Sequence, residues 1–409
     1  MRRAHFVLAV AVLSTLLATA TRWAGAQTET VLYSFTGGTD GGSPDAGLVL
    51  DTVGNLYGTT PDGGFFKDGC GSNGCGTVFK VTPSGSETVL YAFTGENGNG
   101  KFPLPRLVQD ADGNLYGTTA GGGDFKSGTV FELAASGTET VLYSFKGAKA
   151  DGAVPGGGLV RDTQGNFYGT TVGGGSHYKG TVFKLTPAGA ETVLYNFQGR
   201  PDGSAPGNTL VRAAGNLYGT ASDGGSGAGC ASPGCGVVFE ITPYGTDRAL
   251  HVFTGAADGA RPAGGLVRDA LGNFYGTAAW GGTMNSSCPQ GCGTVFELSP
   301  NAGDTWSFTV LHSFTGEGDG YHPVARLVGD AHSNLYGITS GDTCSVRACS
   351  GTVFEIAPDG TETVLHNFTG GVDGQYPFGD LALDKKGNLY GTTQRGGTFN
   401  NGTVFKVTP

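Results

Sequence analysis

The sequence predicts an all-β fold: a seven-bladed β-propeller of four-stranded antiparallel blades, closed by its own N-terminal strand. Three observations carry this. First, three phrases return seven times in one order. ETVLYSF closes on Phe35, Phe93, Phe145, Phe197, Phe253, Phe314 and Phe368. GNLYG centres on Tyr57, Tyr116, Tyr168, Tyr218, Tyr275, Tyr336 and Tyr390, and GTVF closes on Phe79, Phe131, Phe183, Phe239, Phe296, Phe354 and Phe405. Second, successive ETVLYSF phenylalanines lie 58, 52, 52, 56, 61 and 54 residues apart, too far for one solenoid rung and right for one propeller blade. Third, no helical periodicity is sustained beyond residue 26.

Residues 1–26 read as a secretory signal peptide. Arg2 and Arg3 precede an apolar run from Phe6 to Ala20, and Ala24-Gly25-Ala26 is a small-x-small cleavage site. Residues 27–409 are then expected to form a single propeller domain. No later stretch reaches 18 consecutive apolar residues, so the processed protein is expected to be secreted or periplasmic rather than membrane-held. The 24 basic side chains include Arg2, Arg3 and Arg22, and none of the 34 acids precedes residue 27. The processed chain therefore carries a net charge of −13, which excludes nucleic acid and anionic membrane as natural partners. The 77 glycines recur at fixed places beside Tyr, Phe and Val, so they mark turns rather than disorder.

Within a unit, Glu139 to Phe145 is a β-branched and aromatic strand. A loop from Asp151 to Pro155 follows, then a short strand ending in Arg161-Asp162. A tight turn leads into Asn166–Thr171, and a Gly-rich loop into the fourth strand, 180–185. The Asp of LVxD (Asp51, Asp110, Asp162, Asp269, Asp330 and Asp384) is placed to accept the N–H groups of the following turn. Only 110–114 resembles a calcium loop, and it lacks the distal Glu. The fourth unit lacks this Asp and one turn residue, so its hairpin is expected to be irregular. If LVxD is innermost and ETVLYSF outermost, the last blade lacks an outer strand. Glu29 to Phe35 is expected to supply it by pairing with 402–407.

The eight cysteines fall in close pairs: Cys70 and Cys75, Cys230 and Cys235, Cys288 and Cys292, Cys344 and Cys349. Each pair precedes a GTVF strand, which predicts four local disulfides in an exported chain. Zinc would want four ligands, and no histidine flanks any pair. No metal site, cofactor or catalytic residue is expected. His251, His312 and His366 replace the Tyr of ETVLYSF and are expected to be exposed.

A position that repeats seven-fold cannot make one binding site, so breaks in the repeat are the candidates. Before LV stand Gly47, Arg106, Gly158, Thr209, Gly265, Arg326 and Asp380. After LV, Arg161, Arg212 and Arg268 come from consecutive units and would suit an anionic sugar or carboxylate. The DGxxP loops (Asp151-Gly152 to Pro155 in one unit) and the Gly-rich loops share one face, and a ligand is expected there, over the channel. Arg106, Tyr321, His322, Arg326 and Asp380 are its expected contacts.

Units reading GLVxDxxGNLYGTTxxGG…GTVFKxTPxGxETVLYSF resemble the Gloeobacter/Verrucomicrobia-type tandem repeats of exported bacterial proteins, over essentially Thr28 to Pro409. The turn-then-aromatic-strand pattern is distantly similar to NHL repeats. The resemblance implies a secreted or surface repeat protein and supplies no catalytic residues. The function expected is a non-catalytic binding or scaffold module, monomeric, with an extracellular carbohydrate or protein as ligand. The alternative is an extracytoplasmic lyase or hydrolase with its site at the channel mouth.

Overall fold

A computed structural model describes residues 27–409 except 67–68, 105, 148, 150, 228–229, 231–232 and 342–349. The signal-peptide reading and the Cys344–Cys349 pair therefore lie outside the described residues. Seven four-stranded antiparallel blades form a closed propeller. In blade 2 the order outward from the channel is Val108–Gln109, Leu115–Thr119, Thr129–Leu133 and Glu139–Ser144. Blade 7 takes its outer strand from the other end of the chain: Thr28 pairs with Thr408 and Ser34 with Thr403. Short additions, such as Gly100–Lys101 against Gly121–Gly122, extend the strands onto one face.

Packing explains the repeated glycines and aromatics. A Cβ at Gly58 of GNLYG would lie 2.6 Å from Phe79 Cζ and 2.9 Å from Leu48 Cδ2. The bare glycine is what lets the GTVF ring lie flat on its neighbouring strand. That ring then meets the closing Phe of the preceding blade edge-on, as in Phe93–Phe131 at 5.1 Å and Phe145–Phe183 at 5.1 Å. The ring closes through Phe35–Phe79 at 5.0 Å. A bulge between the third and fourth strands, as at Val130/Phe131, lets both Leu142 and Tyr143 pack against the core.

A second seam lies on the face of the DGxxP loops, the loop face. The residue before each proline has φ between 52° and 58°: Ser43, Phe102, Val154, Ala205, Arg261, His322 and Tyr376. This is costly before proline and most of all for β-branched Val154. The conformation aims each N–H at the preceding blade: Ser43 donates to Asn401 O at 2.8 Å and Arg261 to Cys235 O at 2.7 Å. The proline then lies on the GTVF glycine of that blade, where a Cβ at Gly402 would sit 2.6 Å from Pro44 Cδ.

The opposite, turn face carries the LVxD hairpins. Asp51 accepts the N–H groups of Val53 and Asn55, at 3.0 and 2.8 Å, as the sequence predicts. It also accepts the Tyr57 hydroxyl at 3.2 Å. In blade 4 the irregular hairpin is a two-residue turn with Ala214 at φ 50° and Gly215 at φ 89°, the primed geometry that suits strand twist. Glu240 replaces the missing Asp and accepts the Tyr218 hydroxyl at 2.9 Å.

The outer rim corrects one expectation. His251, His312 and His366 are not exposed; their side chains are only 19–20% accessible. They face the DGxxP aspartates: His251 Nε2 lies 3.1 Å from Asp258, and His312 and His366 lie 3.5 and 3.4 Å from Asp319 and Asp373. In other blades a Tyr hydroxyl donates instead, as Tyr143 does to Asp151 at 2.6 Å. A carboxylate from the next blade shares this rim. Burial, reinforced by Asp40, pushes Glu87 up to about 7. Glu29, Glu191, Asp247 and Glu362 are also pushed to about 7, by burial first. Burial raises Glu139 too, but its neighbour is the neutral Asn99, which donates to it at 3.2 Å.

Two outcomes follow. Ala at Gly402 meets both a positive φ and Pro44, and should lower unfolding stability by roughly 2–4 kcal/mol in denaturant melts. Ala at Gly387, with φ +87° and open space around its Cβ, should cost only about 1 kcal/mol. The second outcome concerns pH. A carboxylate raised in the folded state contributes stability below its unfolded pKa and loses it as pH rises through about 7. His366, lowered by burial, opposes this, but it is one group against several. Melting temperature should therefore be higher at about pH 5 than at about pH 8, and Asp40→Asn should shrink the difference.

Candidate functional site

The channel wall is built by the residues between each DGxxP proline and the innermost strand. Blades 3, 4 and 5 place Gly158, Thr209 and Gly265 just before that strand, whereas blades 6, 7 and 2 place Arg326, Asp380 and Arg106. The seven-fold wall is thus small on one side and charged on the other. Gly47 in blade 1 makes room for the charged side, since a Cβ there would lie 2.7 Å from Asp380 Cβ.

These charges are unevenly satisfied. The Arg326 backbone N–H donates to Asp380 Oδ1 at 3.0 Å, and its Nε donates to Leu266 O at 2.7 Å. Burial lowers the Arg326 guanidinium pKa; Asp380 acts against this and Arg106 adds to it. Arg106 Nε is buried without a hydrogen-bond partner. Asp45, the residue after Pro44, is in the same condition: its Oδ1 is shielded and unpartnered. Burial, opposed by its own backbone N–H and reinforced by Asp62, pushes the Asp45 carboxyl up to about 7.

Because the innermost strand runs from the loop face to the turn face, residues before it mark the loop end of the channel. A cavity of about 290 Å³ there is lined by Asp45, Arg106, Asp380, Asn208, Thr209 and Phe378 among others. At the turn end, a cavity of about 720 Å³ is lined by Arg106, Arg326 and Asp380, with Lys385 and Lys386 at its mouth. Arg106 and Arg326 also border a neighbouring space of about 520 Å³ with Arg161 and Arg212.

The structure sorts the sequence candidates into groups. Arg106, Arg326 and Asp380 meet in the channel. Arg161 and Arg212 reach its turn end, but as staples between blades. Arg161 lies over the Tyr116 ring at 5.2 Å and pairs with Asp110 at 3.5 Å, and Arg212 lies over Tyr168 at 5.6 Å. Arg268 covers Phe274 at 5.9 Å. Tyr321 is 2% exposed within the core, and His322 is buried and stacked on Trp280 at 5.1 Å. Sequence reasoning missed Asp45. Its signal was present, because the residues after proline in other blades (Leu104, Gly156, Gly207, Ala263, Val324) are all uncharged.

Three disulfides form as expected in the Gly-rich loops: Cys70–Cys75, Cys230–Cys235 and Cys288–Cys292. They fit an oxidising, extracytoplasmic environment. Among the described residues, no helix is long and apolar enough to cross a membrane. No group of three or more metal-ligating side chains occurs among them either.

The repeat of the Gloeobacter/Verrucomicrobia family matches residues 17–164, 148–345 and 234–409. The chain belongs to this family. None of the curated proteins matches it in sequence. Solved structures share the fold at low identity. One is PorZ, a bacterial surface component of the type-IX secretion system of Porphyromonas gingivalis. It is 15% identical, with TM-score 0.51, covering 88% of this chain and 46% of that one. Another is the extracellular domain of a one-component system from B. thetaiotaomicron, 9% identical, with TM-score 0.50, covering 89% and 38%. A gluconolactonase from Xanthomonas campestris aligns over 94% of this chain and 90% of its own at 13% identity and TM-score 0.45. At these identities the first two likenesses show the fold alone.

Proposed function

We propose that the protein is an exported, non-catalytic binding module whose ligand is held in the central channel by Arg106, Arg326, Asp380 and Asp45. The observation that carries this is that two opposite charges, Arg106 and Asp45, line one cavity, each with a shielded atom that has no hydrogen-bond partner. An unpaired buried charge costs stability, so a fold keeps one where a ligand completes it. Both stand where the seven-fold repeat breaks, which is where a single site must lie. Export rests on residues 1–26 and on the disulfides. The net acidity disfavours polyanions, which leaves a small extracellular solute, a carbohydrate or a protein segment narrow enough to enter the channel.

One observation favours a second reading, a lyase or hydrolase. Asp45, pushed up to about 7, is poised to give or take a proton in a cavity that Arg106 also lines. Turnover of a bound compound that is abolished by Asp45→Asn would establish it.

The test is a screen of extracellular solutes and oligosaccharides by calorimetry against the processed protein. A ligand should bind without being turned over. The double replacement Arg106→Ala and Arg326→Ala should weaken it by at least about tenfold. Binding that is indifferent to both replacements would refute the channel site.

A further inference from the structure

The channel is electrically polarised along its axis. At the loop end the charged lining groups are Asp45 and Asp380 against Arg106, with Asp62 adding negative potential to Asp45. At the turn end the signs reverse. Arg106, Arg326, Lys385 and Lys386 outnumber Asp51, Asp380 and Asp384, while Arg161 is already paired with Asp110. Asp51 and Asp384 are in turn occupied by their own hairpins: each accepts a backbone N–H of its Asn, at 2.8 and 2.9 Å, and a Tyr hydroxyl, at 3.2 and 3.1 Å. The lining side chains with an unpartnered atom are therefore an acid at the loop end, Asp45, and one guanidinium, Arg106.

Resting on the channel reading above, we propose that the ligand is a small zwitterion, with an ammonium group held by Asp45 and Asp380 and a carboxylate held by Arg106. A simple anion would satisfy Arg106 but would press against Asp45, Asp62 and Asp380. A simple cation would satisfy Asp45 but would meet Arg106 and Arg326. Either would leave a buried charge of like sign beside it, which low-dielectric surroundings penalise. One ligand that carries both charges answers both signs of the lining at once. Guanidinium is suited to a carboxylate, which it can grip with two parallel N–H donors. The loop-end cavity of about 290 Å³ matches a ligand of amino-acid size, and the opposite wall of Gly156, Gly158, Gly264 and Gly265 leaves space for its side chain.

The experiment is isothermal titration calorimetry on the processed full chain. The probes are the common free α-amino acids and γ-aminobutyrate, their N-acetyl and amide derivatives, and galacturonate. At least one free zwitterion should bind, and both N-acetylation and amidation should weaken it by about tenfold or more. Asp45→Asn should weaken the zwitterion similarly while sparing the amide-blocked control comparison. A second readout needs no variant. Titration near pH 7 in buffers of different ionisation enthalpy should show proton release, because an ammonium ion favours ionised Asp45; an anion would cause uptake. If no zwitterion binds at about 10 mM, or if binding takes up protons, the proposal is overturned. If galacturonate instead binds in an Arg106-dependent way, the zwitterion assignment falls while the channel-binding function stands.

Discussion

The fold depends on the seam where one blade's proline lies on the glycine of the blade before it. At each seam a residue in the left-handed region precedes the proline and donates its N–H backward, as Phe102 does to Cys75 O at 2.9 Å. The conformation is disfavoured by roughly 1–2 kcal/mol for an L-residue, so it persists only because the seam over-determines it. The returns are a bonded inter-blade N–H, a proline with no donor to satisfy, and a glycine that admits close approach. The edge-on Phe pairs beneath supply the apolar area. Closure follows from the same rule, since Gly402 and Pro44 form this seam across 358 residues of chain.

That seam also decides where function can lie. Its proline and glycine recur seven times, as does the hairpin Tyr, and the hairpin Asp recurs six times, with Glu240 in its place in blade 4. Those positions are committed to closing a ring. The channel-lining step between the proline and the innermost strand lies just beyond the seam and carries none of its bonds except through the backbone. Side chains there are free to differ, and they do: Gly158 and Gly265 face Arg106 and Arg326. The three arginines after LV show the contrary case. They break the repeat in sequence, yet Arg161 and Arg212 are spent on aromatic rings of the preceding blade.

Blades, closure, hairpin aspartates and local disulfides were legible because each rests on residues adjacent in sequence or on the repeat itself. His251 was misjudged in exposure, and the burial of Tyr321 was not legible, for the opposite reason. Their surroundings come from neighbouring blades and loops: Phe308 of blade 5 stacks on His251 at 3.7 Å, and Tyr321 joins a core that contains Leu327 and Phe354. The rim carboxylates were invisible for the same cause. Glu87 meets Asp40 only because blade 1's outer strand passes the loop that enters the same blade, a distance of 47 residues along the chain. Asp45 was readable as a break in pattern but not as a shielded acid, since shielding depends on what surrounds the channel mouth.

The charged channel runs against the economy of the remainder. Several rim acids accept from a Tyr or an Asn or face a His, although oxygens of Glu29, Glu87, Glu191, Asp247 and Glu362 are unpartnered too; hairpin acids find two N–H groups. Arg106 and Asp45 could have been Gly, as Gly158 and Gly156 are at equivalent places, without touching the seam. A scaffold with no ligand would gain stability from that exchange, because removing an unpaired buried charge relieves its desolvation. The rim repeats its buried acids around the ring, whereas Arg106 and Asp45 stand where the repeat breaks, and a costly charge confined to such a break marks a place where stability has been traded for binding. Opposite charges meet there in the channel lining, and the polarity of the channel is the property that a ligand must match.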